Sequence, residues 1–157
     1  MASHLASRLS PISKSVPQTI ASAALVIETS GPGFTDITGD VRGFVRDAGA
    51  VHGVLLVYLR HTSASLVIQE NADPDVQTDL MTALGRLAPE NAAWVHGSEG
   101  PDDMPAHIKA MLTGVSLTIP VEAGAPVLGT WQGIYLVEHR SAPHRREVAL
   151  QFIGATT

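Results

Sequence analysis

The side chains able to do chemistry in this chain are histidines and carboxylates set near the ends of predicted elements: His61-Thr62-Ser63, Glu70-Asn71-Ala72-Asp73, Asp79, His96, His107, Trp131-Gln132 and Glu138. There is no cysteine, which removes disulfides, thiolate metal sites and cysteine nucleophiles and leaves any transition metal to His, Asp or Glu. Should His61, His96 and His107 converge, three neutral imidazoles suit Zn²⁺ and similar borderline ions, with a fourth position open to water or substrate. Nearby carboxylates would then orient the rings or ligate a harder divalent ion such as Mg²⁺. The separation of His96 from His107 is no compact metal motif, so convergence has to come from the fold.

Each of these residues also has a plainer reading. His107 fits a core histidine satisfied by one backbone hydrogen bond, and His96 an exposed loop residue. Asp73, followed by Pro74, has the form of a helix N-cap, and Asp79 fits the solvated side of that helix. Glu138 shares strand parity with Ile134 and Leu136 and so turns inward, where it needs a cation or a metal; a strand ending earlier leaves it in water. Arg140, Arg145 and Arg146 offer bidentate contacts to a phosphate, or else form a solvated basic strand end. The Gly97–Gly100 loop lacks a Lys-Ser/Thr ending, and Ser63 and Ser65 beside His61 lie in no G-x-S-x-G turn, so neither a nucleotide loop nor a serine hydrolase is indicated.

The elements that must position these groups follow from periodicity. Thr19 to Glu28 reads as a strand, and Ile37, Val41, Phe44, Val45 and Ala48 form a helical stripe stopped by Gly49. Gly53 to Leu59 is a strand-length apolar run. Beyond it His61, Ser63, Ser65, Val67 and Gln69 share one face, and Thr62, Ala64, Leu66, Ile68 and Glu70 the other. Val76, Leu80, Ala83, Leu84 and Leu87 stripe a helix ended by Pro89. A short helix from about Pro105 to Leu112 is expected to bury Met104, Ile108, Met111 and Leu112 and to close at Gly114. Val115, Leu117, Ile119 and Val121 alternate as a strand, with Pro120 marking a strand end or sheet edge, and two more strands cover about Gln132–His139 and Arg145–Ile153. Strands and helices without a regular βαβ rhythm predict an α+β domain: a mixed or antiparallel sheet packed with a few helices.

The 157 residues, 45% of them apolar, suit one domain with its own core. Ten basic against 15 acidic residues give a net charge of −5, the wrong sign for tracking a nucleic-acid backbone. The longest apolar runs fall far short of the roughly 20 residues of a membrane-spanning helix. Residues 1–17, serine-rich with basic groups and no acid, read as a flexible tail more readily than as a transit peptide; residues 18–157 form the domain, with the cytoplasm as the expected compartment.

Taken together, His61-Thr62-Ser63-Ala64-Ser65, Glu70-Asn71-Ala72-Asp73-Pro74-Asp75-Val76, the stretch from His96-Gly97-Ser98-Glu99-Gly100 to His107-Ile108-Lys109, Gly129-Thr130-Trp131-Gln132-Gly133 and Glu138-His139-Arg140 resemble the YjbQ-like family. That resemblance runs in order from about Thr19 to the C-terminus. It implies a compact α+β fold, a homotrimer, and a polar pocket in which a divalent ion is often held. His61, His96 and His107 match the family's histidines and are the expected ligands, and Asn71, Asp73, Gln132 and Glu138 match its other polar positions, expected to be catalytic. Thr62, Ser63, Arg140 and Arg145 are expected to contact substrate. Gln69-Glu70-Asn71 and Glu138-His139-Arg140 depart from the sequences common in the family and put the substrate in question more than the fold.

Members of the family are often labelled secondary thiamine-phosphate synthases, which implies a transferase that joins a pyrimidine diphosphate to a thiazole phosphate with loss of pyrophosphate. The ion would neutralise the departing pyrophosphate and arginines would hold phosphate oxygens. Against this stand the scarcity of lysine and the absence of a phosphate loop. A metal-dependent hydrolase with Glu138 or Asp73 as base, and a non-catalytic trimer binding a metal or small molecule, are the alternatives.

Overall fold

The computed structural model describes residues 10–157; part of the expected tail, residues 1–9, lies outside the described residues, and residues 10–17 are exposed without regular structure. The elements run β1 (Thr19–Thr29), β2 (Gly33–Asp36), α1 (Thr38–Asp47), β3 (Ala50–Leu59), β4 (Ala64–Glu70), α2 (Pro74–Leu87), α3 (Asp103–Thr113), β5 (Ser116–Glu122), β6 (Ala125–Pro126), β7 (Gln132–Glu138) and β8 (His144–Thr156). They form two sheets, one of five strands in the order β1-β8-β3-β5-β6 and one of three in the order β2-β7-β4. All pairings are antiparallel, so the fold is α+β as expected. No helix among the described residues is long and apolar enough to cross a membrane.

Strand alternation builds the core. Leu55, Val57 and Leu59 of β3, Val148, Leu150 and Phe152 of β8, and Ile119 and Val121 of β5 meet Ala64, Leu66, Ile134 and Leu136 of the smaller sheet, and Ile37, Val41 and Val45 of α1 complete the cluster. At the centre of the large sheet Gly53 faces Gly154 across the β3–β8 pair. A Cβ on Gly53 would lie 2.3 Å from the Ile153 carbonyl oxygen, and one on Gly154 2.2 Å from that of His52. The two backbones approach so closely there that no side chain fits.

The second helix begins as its sequence demands: the Asp73 carboxylate accepts the Asp75 N–H at 2.9 Å, with Pro74 at the first helical position. The third helix corrects the sequence reading. It starts at Asp103, two residues earlier than expected, and its buried residues are Asp103, Pro105, Ala106 and Ala110. Met111 and Leu112, expected inside, are 78% and 55% exposed. Small side chains let the helix lie close against β4, and a buried arginine compensates Asp103, two charged types that hydropathy ranks low for burial.

Candidate metal centre

The loop before α3 and the first turn of that helix bring His96, Asp103 and His107 together. Asp103 and His107 are four residues apart and share one helix face. Asp103 Oδ2 lies 2.7 Å from His96 Nε2 and 3.5 Å from His107 Nε2, and one ligand atom from each residue falls within 4.8 Å of the others. The two rings tilt at 58° with centroids 5.5 Å apart. His107 Nδ1–H donates to the Thr62 carbonyl at 2.9 Å, so in the neutral ring the Nε2 lone pair faces the cluster, the tautomer a ligating histidine needs.

The carboxylate is itself held. Arg140 donates from Nη1 to Asp103 Oδ1 at 2.6 Å, from Nε to Asp102 Oδ2 at 3.0 Å and from Nη2 to the Glu99 carbonyl at 2.8 Å. Burial alone would raise the Asp102 carboxyl, but hydrogen bonds from the Ser141 N–H and Arg140 outweigh it and hold the group below its ordinary value. Glu99, Asp102 and Asp103 thus surround a single guanidinium, Glu99 with its carboxylate at 3.6 Å, and the excess of negative charge favours a cation.

The donor set fits a divalent ion. Ligands at about 2.0–2.2 Å in tetrahedral array stand roughly 3.3 Å apart. The 3.5 Å separation matches that spacing, the 2.7 Å hydrogen bond would open by about 0.6 Å as its proton left, and the two imidazole nitrogens, within 4.8 Å of each other, would draw together around the ion. Beside His107 lies an open cleft of about 390 Å³ walled by Thr62, Ala110, Met111, Gly114 and Val115.

The other expected site residues are distributed more widely. His61 is outside the cluster: its Nε2 accepts the Glu147 N–H at 3.0 Å, and burial, then Arg146, lowers its pKa. It lines a neighbouring depression that also has Thr62 and Val115 in its wall. Thr62 contributes its carbonyl to His107, and the Ser63 carbonyl accepts from Arg146 at 3.3 Å.

Glu138 is inward and 1% exposed, as its parity predicts, but its partner is a cation from the protein. Arg146 donates to both of its oxygens at 2.7 and 2.5 Å, Thr29 Oγ1 donates at 2.7 Å, and the N–H groups of His139 and Arg140 donate at 3.0 and 2.9 Å. Burial alone would raise this carboxyl; Arg146, the Arg140 N–H and Thr29 outweigh it and keep it ionised.

Asn71, Asp73 and Gln132 sit elsewhere. Asn71 donates to the Thr130 and Gln132 carbonyls at 3.3 Å each, Gln132 accepts the Gly129 N–H at 2.8 Å, and Asp73 caps its helix. The β4–β7 register pairs Ala64 with Glu138 at one end and Glu70 with Gln132 at the other. Six strand steps, about 20 Å, separate those ends. The chain therefore does not gather all the expected residues into one pocket. Arg140 is spent on the acids described above, and Arg145, at the surface, lies 3.6 Å from Glu28.

Sequence reasoning passed over Asp103, although its i,i+4 relation to His107 is a legible signal. It also passed over a buried polar chain behind α3. His139 Nε2 lies 2.6 Å from Ser65 Oγ, which is bonded to Thr113 Oγ1, itself 2.7 Å from the Lys109 carbonyl. One hydroxyl proton serves one acceptor. With the Thr113 proton on Lys109, the Ser65 proton turns to Thr113 and the His139 proton sits on Nε2. The buried Nδ1, which lacks a partner among the described residues, is then a bare lone pair and not a stranded donor. Burial, reinforced by Lys109, pushes the His139 ring down to about 4, so it is neutral.

Fold and site together define an antiparallel two-sheet α+β protein with a histidine–carboxylate cluster at the start of its last helix. A family model for UPF0047 YjbQ-like proteins matches residues 23–155, and the chain belongs to that family. It is 48% identical to a UPF0047 protein of Synechocystis over 131 residues, 83% of this chain and 89% of the relative. It is 43% identical to the UPF0047 protein YjbQ of Escherichia coli O157:H7 over 117 residues, 74% and 85% of the two chains. Among solved structures, a conserved YjbQ/UPF0047-family protein of Clostridium acetobutylicum superposes with a TM-score of 0.78 at 39% identity, covering 83% of this chain and 99% of that one. A hypothetical protein from Aeropyrum pernix K1 gives 0.80 at 31% identity, covering 86% and 99%.

Proposed function

We propose that this protein is a metal-dependent hydrolase of small molecules, with a divalent ion held by His96, Asp103 and His107. The observation that carries the reading is the meeting of the three ligand atoms within 4.8 Å, one ring oriented by the Thr62 carbonyl. Two imidazoles and one carboxylate favour zinc or a similar borderline ion over Mg²⁺, which prefers oxygen ligands. Such an ion would supply a coordinated water acidified toward neutrality and a Lewis acid for a substrate oxygen. Neither expected base lies beside it, since Glu138 is saturated by donors and Asp73 caps α2.

The transferase reading finds less support. It would use the same ion on a departing pyrophosphate, yet Arg140, expected to hold phosphate oxygens, is bonded to Asp102, Asp103 and Glu99. The homotrimer and the cytoplasmic setting remain part of the proposal. Association is favoured by the outer face of the large sheet, where Ile20, Ile153, Val54 and Pro120 are paired in one cross-strand row and Ile20 and Val54 are 69% and 37% exposed.

The test is metal content by elemental analysis, then zinc titration of wild type, Asp103→Asn and His107→Ala. Wild type should bind one ion per chain and each variant should lose at least ten-fold in affinity. Hydrolysis of ester and phosphoester probes should disappear with a chelator and return with zinc. Full metal binding by both variants would sink the assignment. Chelator-insensitive formation of thiamine phosphate would sink the hydrolase reading.

A further inference from the structure

The cleft beside His107 carries information about what the ion would act on. It is about 390 Å³, within the range of small-ligand sites, and apart from His107 its wall is Thr62, Ala110, Met111, Gly114 and Val115. Among the described residues, no lysine or arginine lines it. The nearby guanidiniums are engaged: Arg140 with Asp102 and Asp103, Arg146 with Glu138, and Arg60, in the neighbouring depression, with Glu147. A phosphate or diphosphate there would meet an apolar wall and, at its rim, an excess of carboxylates. An uncharged aliphatic or aryl body would instead cover Ala110, Met111 and Val115. The His107 ring, on the cleft wall and within the cluster, joins the two regions.

Resting on the metal reading, we infer that the site takes a substrate with an oxygen-donor head for the ion and an uncharged apolar body for the Ala110–Met111–Val115 wall, and that it discriminates against polyanions. The exposed position of Met111 has a purpose in this arrangement: it forms the outer lip over which the apolar body lies.

A series of n-alkyl hydroxamates tests this. The protein is loaded with Co²⁺, whose visible absorption reports ligands entering its coordination sphere, and titrated with aceto-, butano-, hexano- and octanohydroxamate and with pyrophosphate. Affinity should rise about two- to three-fold per added methylene until the wall is covered, somewhat less than full burial would give. Pyrophosphate should bind more weakly than butanohydroxamate. Met111→Glu, altering a side chain 78% exposed, should abolish the gain with chain length.

A flat series, or pyrophosphate binding more tightly than octanohydroxamate, overturns the inference while leaving the metal centre standing. If no Co²⁺ band appears, the metal centre falls instead, and the cleft is then decided in metal-free protein labelled with ¹³C at its methionine methyl groups. A shift of the Met111 resonance on addition of n-hexanol, absent in Met1, Met81 and Met104, supports an apolar-body site; no shift overturns it.

Discussion

Arg140 holds Asp103 by the oxygen the histidines do not use: Nη1 sits 2.6 Å from Oδ1, while Oδ2 faces His96 at 2.7 Å. The carboxylate is thereby divided between an internal cation and the proposed site for an external one. The same guanidinium reaches Asp102 and the Glu99 carbonyl, so it ties the loop before α3 to the end of β7.

Arg140→Lys tests that tie without removing charge. A lysine cannot reproduce the planar fork, so Asp103 should lose its fixed orientation and zinc affinity should fall about ten-fold or more. Competition against a chromophoric chelator measures it. Unchanged affinity would mean that α3 positions the carboxylate unaided.

Glu138→Gln should act on stability and leave the ion alone. The substitution strands Arg146, 2% exposed, without its counter-charge, a loss expected to cost about 3–5 kcal/mol. The urea midpoint should drop accordingly while zinc affinity stays within about two-fold. A stable variant that has lost activity would restore the catalytic role expected from the sequence.

Acid should destabilise the fold through His139. Its folded pKa, about 4, lies below the unfolded value of about 6.5, so the unfolded chain binds more protons between those limits. The stability linked to the neutral ring is complete above pH 6.5, declines as pH falls, and is gone near pH 4, about 3 kcal/mol in all. Urea midpoints across that interval should fall in wild type and change less in His139→Gln. Parallel curves would transfer the effect to other groups, with Glu138 and Asp102, both held below ordinary carboxylate values, active only at lower pH.

Gly53→Ala should disrupt the large sheet at its centre. The new methyl would meet the Ile153 carbonyl at 2.3 Å, and because the obstacle is backbone, relief requires β3 and β8 to separate. A loss of about 3 kcal/mol or more is expected in thermal or urea unfolding. Gly85→Ala, whose Cβ would meet nothing within 4 Å inside α2, is the control and should be neutral or stabilising.

Much of the fold was legible because strand alternation carries its own parity. Ile119 and Val121 are buried as their pattern requires, and Glu138 turns inward with Ile134 and Leu136. Asp73 and Pro74 announced the start of α2, and the domain follows the family's order of motifs. The rotation of α3 was not legible, since a buried aspartate and two alanines carry no apolar signal while Met111 and Leu112 carry a misleading one. The site was half legible for a related reason. His96 and His107 drew attention as ligand types, but the third member is a carboxylate whose burial depends on an arginine 37 residues later, and that pairing exists only in three dimensions. Polar residues at strand ends carry nothing in the sequence that separates them into groups. The β4–β7 register divides them between opposite ends of the small sheet.

The group that aims the His107 ring is a main-chain oxygen, that of Thr62. Every amino acid carries that atom, so exchanging the Thr62 side chain should leave the ring's aim intact. A survey of side-chain variants for the residue that orients this imidazole will return nothing, although the contact is present. What fixes the aim is the path of the chain between β3 and β4, and it would yield to a change in loop length or to an ester in place of an amide sooner than to any substitution.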